Sequence, residues 1–251
     1  MTRDPLETRV VVMGDNHGNH ADHDTLKAIL AFCKDFKPTY RVHLGDNWDL
    51  AALRRGVGNQ DKEASQATLL EDIEAGCQWV QQFRPTHFLM GNHEHRIREL
   101  MHVTDSITRL EALQGIDAKM RRAIRDSGCR VIKEYTVQDN YVDLGPLTFT
   151  HGFYHGNDAI VKTAHRFNSG PGRAVVMGHL HRAEQHNLER RGGGAVWING
   201  CACDLSLQYA ERRPSTLRWQ NSFMAFIYRG EDYIGRQAHR FAGKWVMPFS
   251  K

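Results

Sequence analysis

The chain has 251 residues, 41% of them hydrophobic and 25% charged, the composition of a folded globular protein rather than a disordered or fibrous one. The net charge of +4 suits an anionic substrate but falls short of a surface that coats nucleic acid. No apolar run approaches the roughly 18 residues of a membrane span, and the start Met1-Thr-Arg-Asp-Pro-Leu-Glu7 is unlike a signal peptide, so a cytoplasmic protein is expected.

In chain order, short β-branched runs alternate with stretches of helical period. A strand is expected at residues 9–13, a helix over 21–36, a strand at 40–44, a polar loop over 53–62 carrying Arg54 and Arg55, a helix over 63–83 and a strand at 87–90. Residues 96–126 read as helical, with breaks near 102–106 and Gly115. This βαβαβ order predicts a largely parallel core sheet. Strands over 130–137 and 141–150 then make the sheet mixed, with Leu144-Gly-Pro-Leu147 as a tight connection. A helix over 157–167, a strand at 174–177, a pair at 184–190 and 195–199 joined by Gly192 to Gly194, and two late strands at 222–229 and 232–237 complete the pattern. No repeat or linker interrupts it, so residues 1–251 are read as one domain.

Five cysteines without a CxxC pair speak for buried thiols rather than disulfides or a zinc ribbon, whereas 15 histidines are an excess that asks for a metal. The informative positions are the strand ends, where ligand sites of open α/β sheets lie. Five runs end in polar, glycine-flanked segments: Gly14-Asp15-Asn16-His17-Gly18, Gly45-Asp46-Asn47-Trp48-Asp49, Gly91-Asn92-His93-Glu94, His151-Gly152 and Gly178-His179-Leu180-His181. Each glycine is expected to let the backbone turn sharply. A single Gly-Asp is most often a turn or cap, and His43 or His87 within a strand reads as structural. The five together place carboxylates, imidazoles and a carboxamide at one sheet edge, a cluster that is costly without a cation.

In that order the motifs resemble the calcineurin-like metallophosphoesterases, from Arg9 to about His186, and most closely the short bacterial and phage-borne members. The resemblance implies an α/β fold, a four-layer αββα sandwich of two mixed sheets flanked by helices, with strands of the tail completing the second sheet. It implies two divalent transition metal ions, Mn²⁺ first, with Fe, Zn or Ni also suited to the donors. Asp15, His17 and His181 correspond to ligands of one metal, Asn92, His151 and His179 to ligands of the other, and Asp46 to the carboxylate shared between them. A bridging hydroxide would be the nucleophile. His93 corresponds to the family's histidine that stabilises the phosphoryl oxygens or protonates the leaving group. Asp49 would orient it, or else serve as N-cap of the segment beginning at Leu50.

The protein phosphatase motif continues Asp-Arg-Gly, whereas Leu50 follows Asp49 here, so a phosphoprotein substrate is not expected. Arg96, and with it Arg54, Arg55 and Arg98, are candidate phosphate clamps. His20, His95, Tyr154 and His155 are expected to line the pocket without binding metal. The leading expectation is a phosphoesterase of phosphodiesters or nucleotides, nucleic acid included. A phosphomonoesterase of a small metabolite, a DNA-end nuclease and a scaffold of the same fold without activity are the competing readings. The last is disfavoured because every ligand position is filled. Oligomeric state and the role of residues 187–251 stay open.

Overall fold

The computed structural model describes residues 6–54, 62–167, 170–189, 191–206 and 214–249. Strands β1 (Thr8–Met13), β2 (Tyr40–His43), β3 (His87–Leu89) and β4 (Val131–Lys133) run parallel in the first sheet. Two late strands, β10 (Met224–Arg229) and β11 (Asp232–Gln237), extend it antiparallel on the far side of β1, giving the order β11-β10-β1-β2-β3-β4. The second sheet, in the order β5-β6-β7-β9-β8, combines β5 (Val142–Leu144), β6 (Leu147–Thr150), β7 (Ala174–Met177), β8 (Ala183–Asn187) and β9 (Ala195–Asn199). Among the described residues after Asn187, β9 is therefore the strand that enters the second sheet. The two late strands join the first, because β10 pairs in register with β1 and buries Met224 and Phe226 between the sheets.

Side-chain alternation builds the layers. Val10 and Val12 of β1 face Phe149, Val176 and Trp197 of the second sheet, while Val11 and Met13 pack outward on α1 (His23–Phe36) through Ile29, Phe32 and Cys33. Helices α2 (Lys62–Phe83), α3 (Asn92–Val103) and α4 (Ile107–Asp126) cover the rest of that face, and α5 (Ala159–Phe167) covers Val175 and Val196 of the second sheet. The result is the expected four-layer αββα arrangement, its hydrophobic face buried three times over. Among the described residues no helix is long and apolar enough to cross a membrane. Four of the five cysteines are buried and all are free thiols.

Three local expectations fail for identifiable reasons. The strand expected over 130–137 stops at Lys133, because the Asp139 carboxylate accepts from the Glu134 amide (2.9 Å) and from the Lys133 ammonium (2.9 Å), folding the chain into turns. The expected strand over 141–150 is split at Gly145-Pro146 into the antiparallel pair β5 and β6. The expected break at Gly115 is absent, since α4 runs through it and a Cβ there would meet nothing within 4 Å. Gly115→Ala is accordingly expected to stabilise the protein by about 1 kcal/mol, read as a raised denaturation midpoint with unchanged slope.

Candidate metal centre

All five polar strand ends meet at one edge where the two sheets approach. Asp15 and His17 follow β1, Asp46 and Asp49 follow β2, Asn92 and His93 open α3, His151 follows β6, and His179 and His181 follow β7. The loops are stitched by backbone bonds: Asp15 N–H donates to Gly45 O (2.9 Å), His17 N–H to Asp46 O (3.1 Å) and Gly18 N–H to Asn47 O (2.8 Å). The carboxylates stitch them further. Asp15 accepts from the His179 amide (3.0 Å), and Asp46 Oδ1 accepts from the His93 amide (2.9 Å).

Of the ten non-glycine residues with positive φ among those described, five are Asp15, His17, Asp46, His179 and His181. A left-handed conformation in such residues costs on the order of 1–3 kcal/mol each, and it concentrates at functional sites. Gly18, Gly45 and Gly152 take the positive φ of the expected sharp turns, whereas Gly91 and Gly178 serve a different purpose. A Cβ on Gly91 would lie 2.1 Å from Asp46 Oδ1, and one on Gly178 would lie 2.5 Å from Asp15 Oδ2, so those glycines make room for the carboxylates.

Ligand-type atoms of Asp15, His17, Asp46 and His181 lie within 4.8 Å of one another, and so do those of Asp46, His151 and His179. Asp46 belongs to both groups. Asn92 joins the second through Oδ1, 3.0 Å from His151 Nε2. Imidazole orientation is set from behind: His17 Nδ1 lies 2.9 Å from Asp49 Oδ1, and His151 Nδ1 donates to Leu44 O (2.8 Å). Their Nε2 atoms are thereby left to face the cluster, as lone pairs do at a metal. There His17 Nε2 meets His181 Nε2 at 3.1 Å, and His151 Nε2 meets His179 Nδ1 at 3.2 Å. Imidazole nitrogens turned on one another among buried carboxylates are the arrangement a cation resolves, and the mixed N/O donor set fits a divalent transition metal.

The electrostatics agree with that reading. Burial alone would raise Asp46, but His151, His93 and His17 hold its carboxyl well below the usual range. Burial and the neighbouring His151 push His179 well below the ordinary imidazole value, keeping it neutral. His43, read as structural, is structural: its Nε2 faces Asn16 Oδ1 (3.0 Å), its Nδ1 accepts from the Gly45 amide (3.1 Å), and burial lowers it to about 3.

Asp49 does not cap the turn at Ala51–Leu53, which begins at Leu50 without a side-chain cap. Its carboxylate turns inward, within 2.9 Å of His17 Nδ1 and 3.2 Å of His93 Nδ1. His93 Nδ1 also donates to Asp49 O (2.8 Å), so its Nε2 faces the cluster, 3.8 Å from Asp46 Oδ2. Arg96 donates to the same carbonyl (2.7 Å) and, with Arg54 and His93, lines a cleft of about 450 Å³ over the cluster. Arg55 lies outside the described residues. Arg98 is drawn away to Glu134 (3.3 Å). His155 lines the cleft, 3.2 Å from His179 Nε2, whereas His20, His95 and Tyr154 do not, and His95 packs instead near Tyr135.

Two acids support the loops in roles that the sequence reading did not assign. Glu94 accepts from the amides of Asp46 (3.0 Å), Asn47 (2.7 Å), Trp48 (3.2 Å) and Gly91 (2.6 Å), tying the second loop to the start of α3. Burial and the adjacent Asp46 charge raise it to about 7 against those bonds. Asp72 of α2 accepts from the amides of Asp49 (3.1 Å) and Leu50 (2.8 Å). Its sequence signal is an acid in helical register with the buried Trp79 and Phe83. Glu94→Gln places an amide donor against backbone donors, so a loss of about 3 kcal/mol or more is expected in urea unfolding of the metal-free protein. The tail supplies Trp219, whose ring centroid lies 4.3 Å from that of His181, together with Thr216 and Arg218 in the cleft wall.

Residues 8–183 match the family described as calcineurin-like phosphoesterase. The Gene 54 protein of Mycobacterium phage L5 is 23% identical over 239 residues, covering 90% of this chain and 91% of that protein. Its counterpart from Mycobacterium phage D29 is 24% identical over 231 residues, with coverage of 87% and 88%. Among solved structures, Vacuolar Protein Sorting 29 from Cryptosporidium parvum matches with 13% identity and a TM-score of 0.44 over 96% of this chain and 95% of that one. Yfce, a phosphoesterase from E. coli, matches with 15% identity and a TM-score of 0.36 over 92% and 98%. With its motifs at the strand ends and the family match spanning well over half its length, the chain belongs to the calcineurin-like phosphoesterases and is a metal-dependent phosphoric ester hydrolase.

Proposed function

We propose that the protein is a dinuclear phosphodiesterase acting on phosphodiesters or nucleotides. Asp15, His17 and His181 hold one divalent cation, Asn92, His151 and His179 hold the second, and Asp46 is shared. The observation that carries this reading is the meeting of two donor groups at one buried carboxylate, Asp46. Mn²⁺ is the metal proposed, and Fe, Zn and Ni suit the same donors. When bound, such a pair supplies an activated water at neutral pH and neutralises charge on the phosphoryl group.

The protein's own groups do the rest. Hydrolysis replaces an ester oxygen on phosphorus by a water oxygen, and the departing oxygen needs a proton. His93 is placed to donate it: Nδ1 is tied to Asp49, and Nε2 faces the cleft beside Asp46. Asp49 is a positioning residue, holding both His93 and the ligand His17 in one tautomer. Arg96 and Arg54, with Arg55 beside it in sequence, bind the phosphate oxygens and the non-reacting part of the substrate.

The test is turnover of bis-p-nitrophenyl phosphate against p-nitrophenyl phosphate, before and after metal removal. Dialysis against EDTA is expected to remove activity and Mn²⁺ to restore it, with the diester turned over faster. Undiminished hydrolysis in EDTA overturns the metal reading. Preference for the monoester replaces the diesterase reading by a phosphomonoesterase of a small metabolite.

A further inference from the structure

Beyond the arginines already named, the cleft has a second cationic flank built by the loops of the second sheet and by the tail. Arg182 and Arg218 line it. Arg182 is clamped by Glu184 (2.6 Å) and donates to Gly156 O, whereas Arg218 is exposed and donates to Asn157 Oδ1 (3.0 Å), a neutral acceptor. Among the described lining residues the one carboxylate is Asp46, against four arginines. Trp219 stands between this flank and the cluster, tilted against His181, with its backbone fixed by the Gln220 amide donating to His181 O (2.8 Å). It also lines an adjoining cleft of about 470 Å³ with Gln237 and Arg240, so Trp219 borders both clefts.

A phosphomonoester places its single charged group over the cluster and leaves this flank without a counterpart. A polynucleotide strand carries a phosphate on either side of the scissile one and a base next to it. Bases in a duplex are stacked inside and out of reach of an indole in a cleft wall, whereas single-stranded bases pack on aromatic rings irrespective of sequence. We propose that Trp219 and Arg218 form a subsite for single-stranded nucleic acid, the base beside the scissile phosphate packing on Trp219 and the next phosphate meeting Arg218. This inference rests on the diesterase reading above and names its substrate class.

The test is binding of a fluorescein-labelled oligothymidylate to the metal-free protein in EDTA, followed by anisotropy over a range of salt. Trp219→Ala is expected to weaken binding about 10-fold and Trp219→Phe to retain most of it. Arg218→Ala should weaken binding and reduce the slope of log affinity against log salt by about 1. Unlabelled single strand should compete better than duplex of the same length. Arg218 is exposed, so its variant stays decisive if Trp219→Ala fails to fold. A parent protein that hydrolyses the aryl diester with Mn²⁺ but binds the strand no better than Arg218→Ala does overturns the subsite alone. A parent that hydrolyses no aryl diester with Mn²⁺, Fe²⁺, Zn²⁺ or Ni²⁺ overturns the diesterase reading, and the subsite with it.

Discussion

Asp46→Asn is expected to be the most damaging single ligand change, removing metal from both positions and activity with it. Asp46 is buried, belongs to both donor groups, and accepts from the His93 amide. Its carboxylate is the one protein side chain both cations would share, and a neutral amide would offset none of their charge. Loss of a residue that merely supports a ligand typically costs about 10- to 100-fold in metal affinity. A shared ligand acts twice, so turnover should fall by on the order of 10³-fold at subsaturating metal. Steady-state kinetics across a Mn²⁺ titration check this, and recovery of full activity at high Mn²⁺ would remove Asp46 from the shared position.

His93→Asn is expected to leave the metals in place while turnover collapses. The imidazole is nearly buried, with Nδ1 within reach of the Asp49 carbonyl oxygen and of its carboxylate Oδ1, and Nε2 toward the cleft. General acid catalysis is worth about 10²- to 10⁴-fold, and kcat should fall by that factor. The loss should grow as the leaving group becomes more basic, because a good leaving group departs without the proton. Metal content by elemental analysis and kcat over a series of aryl diesters decide the matter. Loss of metal in the variant would make His93 a ligand, and an equal loss across the series would remove the acid role.

Much of this centre was legible because its chemistry is local in sequence. A β-branched run followed by glycine, an acid and a histidine places a donor at a sheet edge, and five such endings in order bring the donors to one place. The four layers were expected through the family resemblance, whereas the apolar run Val10 to Met13 and the helical spacing of Leu26, Ile29, Leu30 and Phe32 gave the βαβαβ order of the first sheet. What stayed hidden depends on distance. Glu94 bonds amides more than 40 positions away, and Asp72 reaches Asp49 and Leu50 from the middle of a helix. Neither bond leaves a spacing to read. The late strands were visible as strands, but β10 pairs with β1 more than 200 positions away and carries β11 with it, so their sheet was misjudged. Gly115 was read as a break because propensity alone cannot tell an exposed helical glycine from a terminating one. Trp219 and Arg218 had no motif at all and enter the cleft only because the tail folds back past His181.

The central claim is that two cations share Asp46. The measurement that tests it most directly is the metal content per chain after Mn²⁺ loading and gel filtration, for the parent and for Asp46→Asn. The parent should carry two metals per chain, and the variant should lose both together. One metal or none in the parent, or a variant that keeps one of two tightly bound, would contradict it.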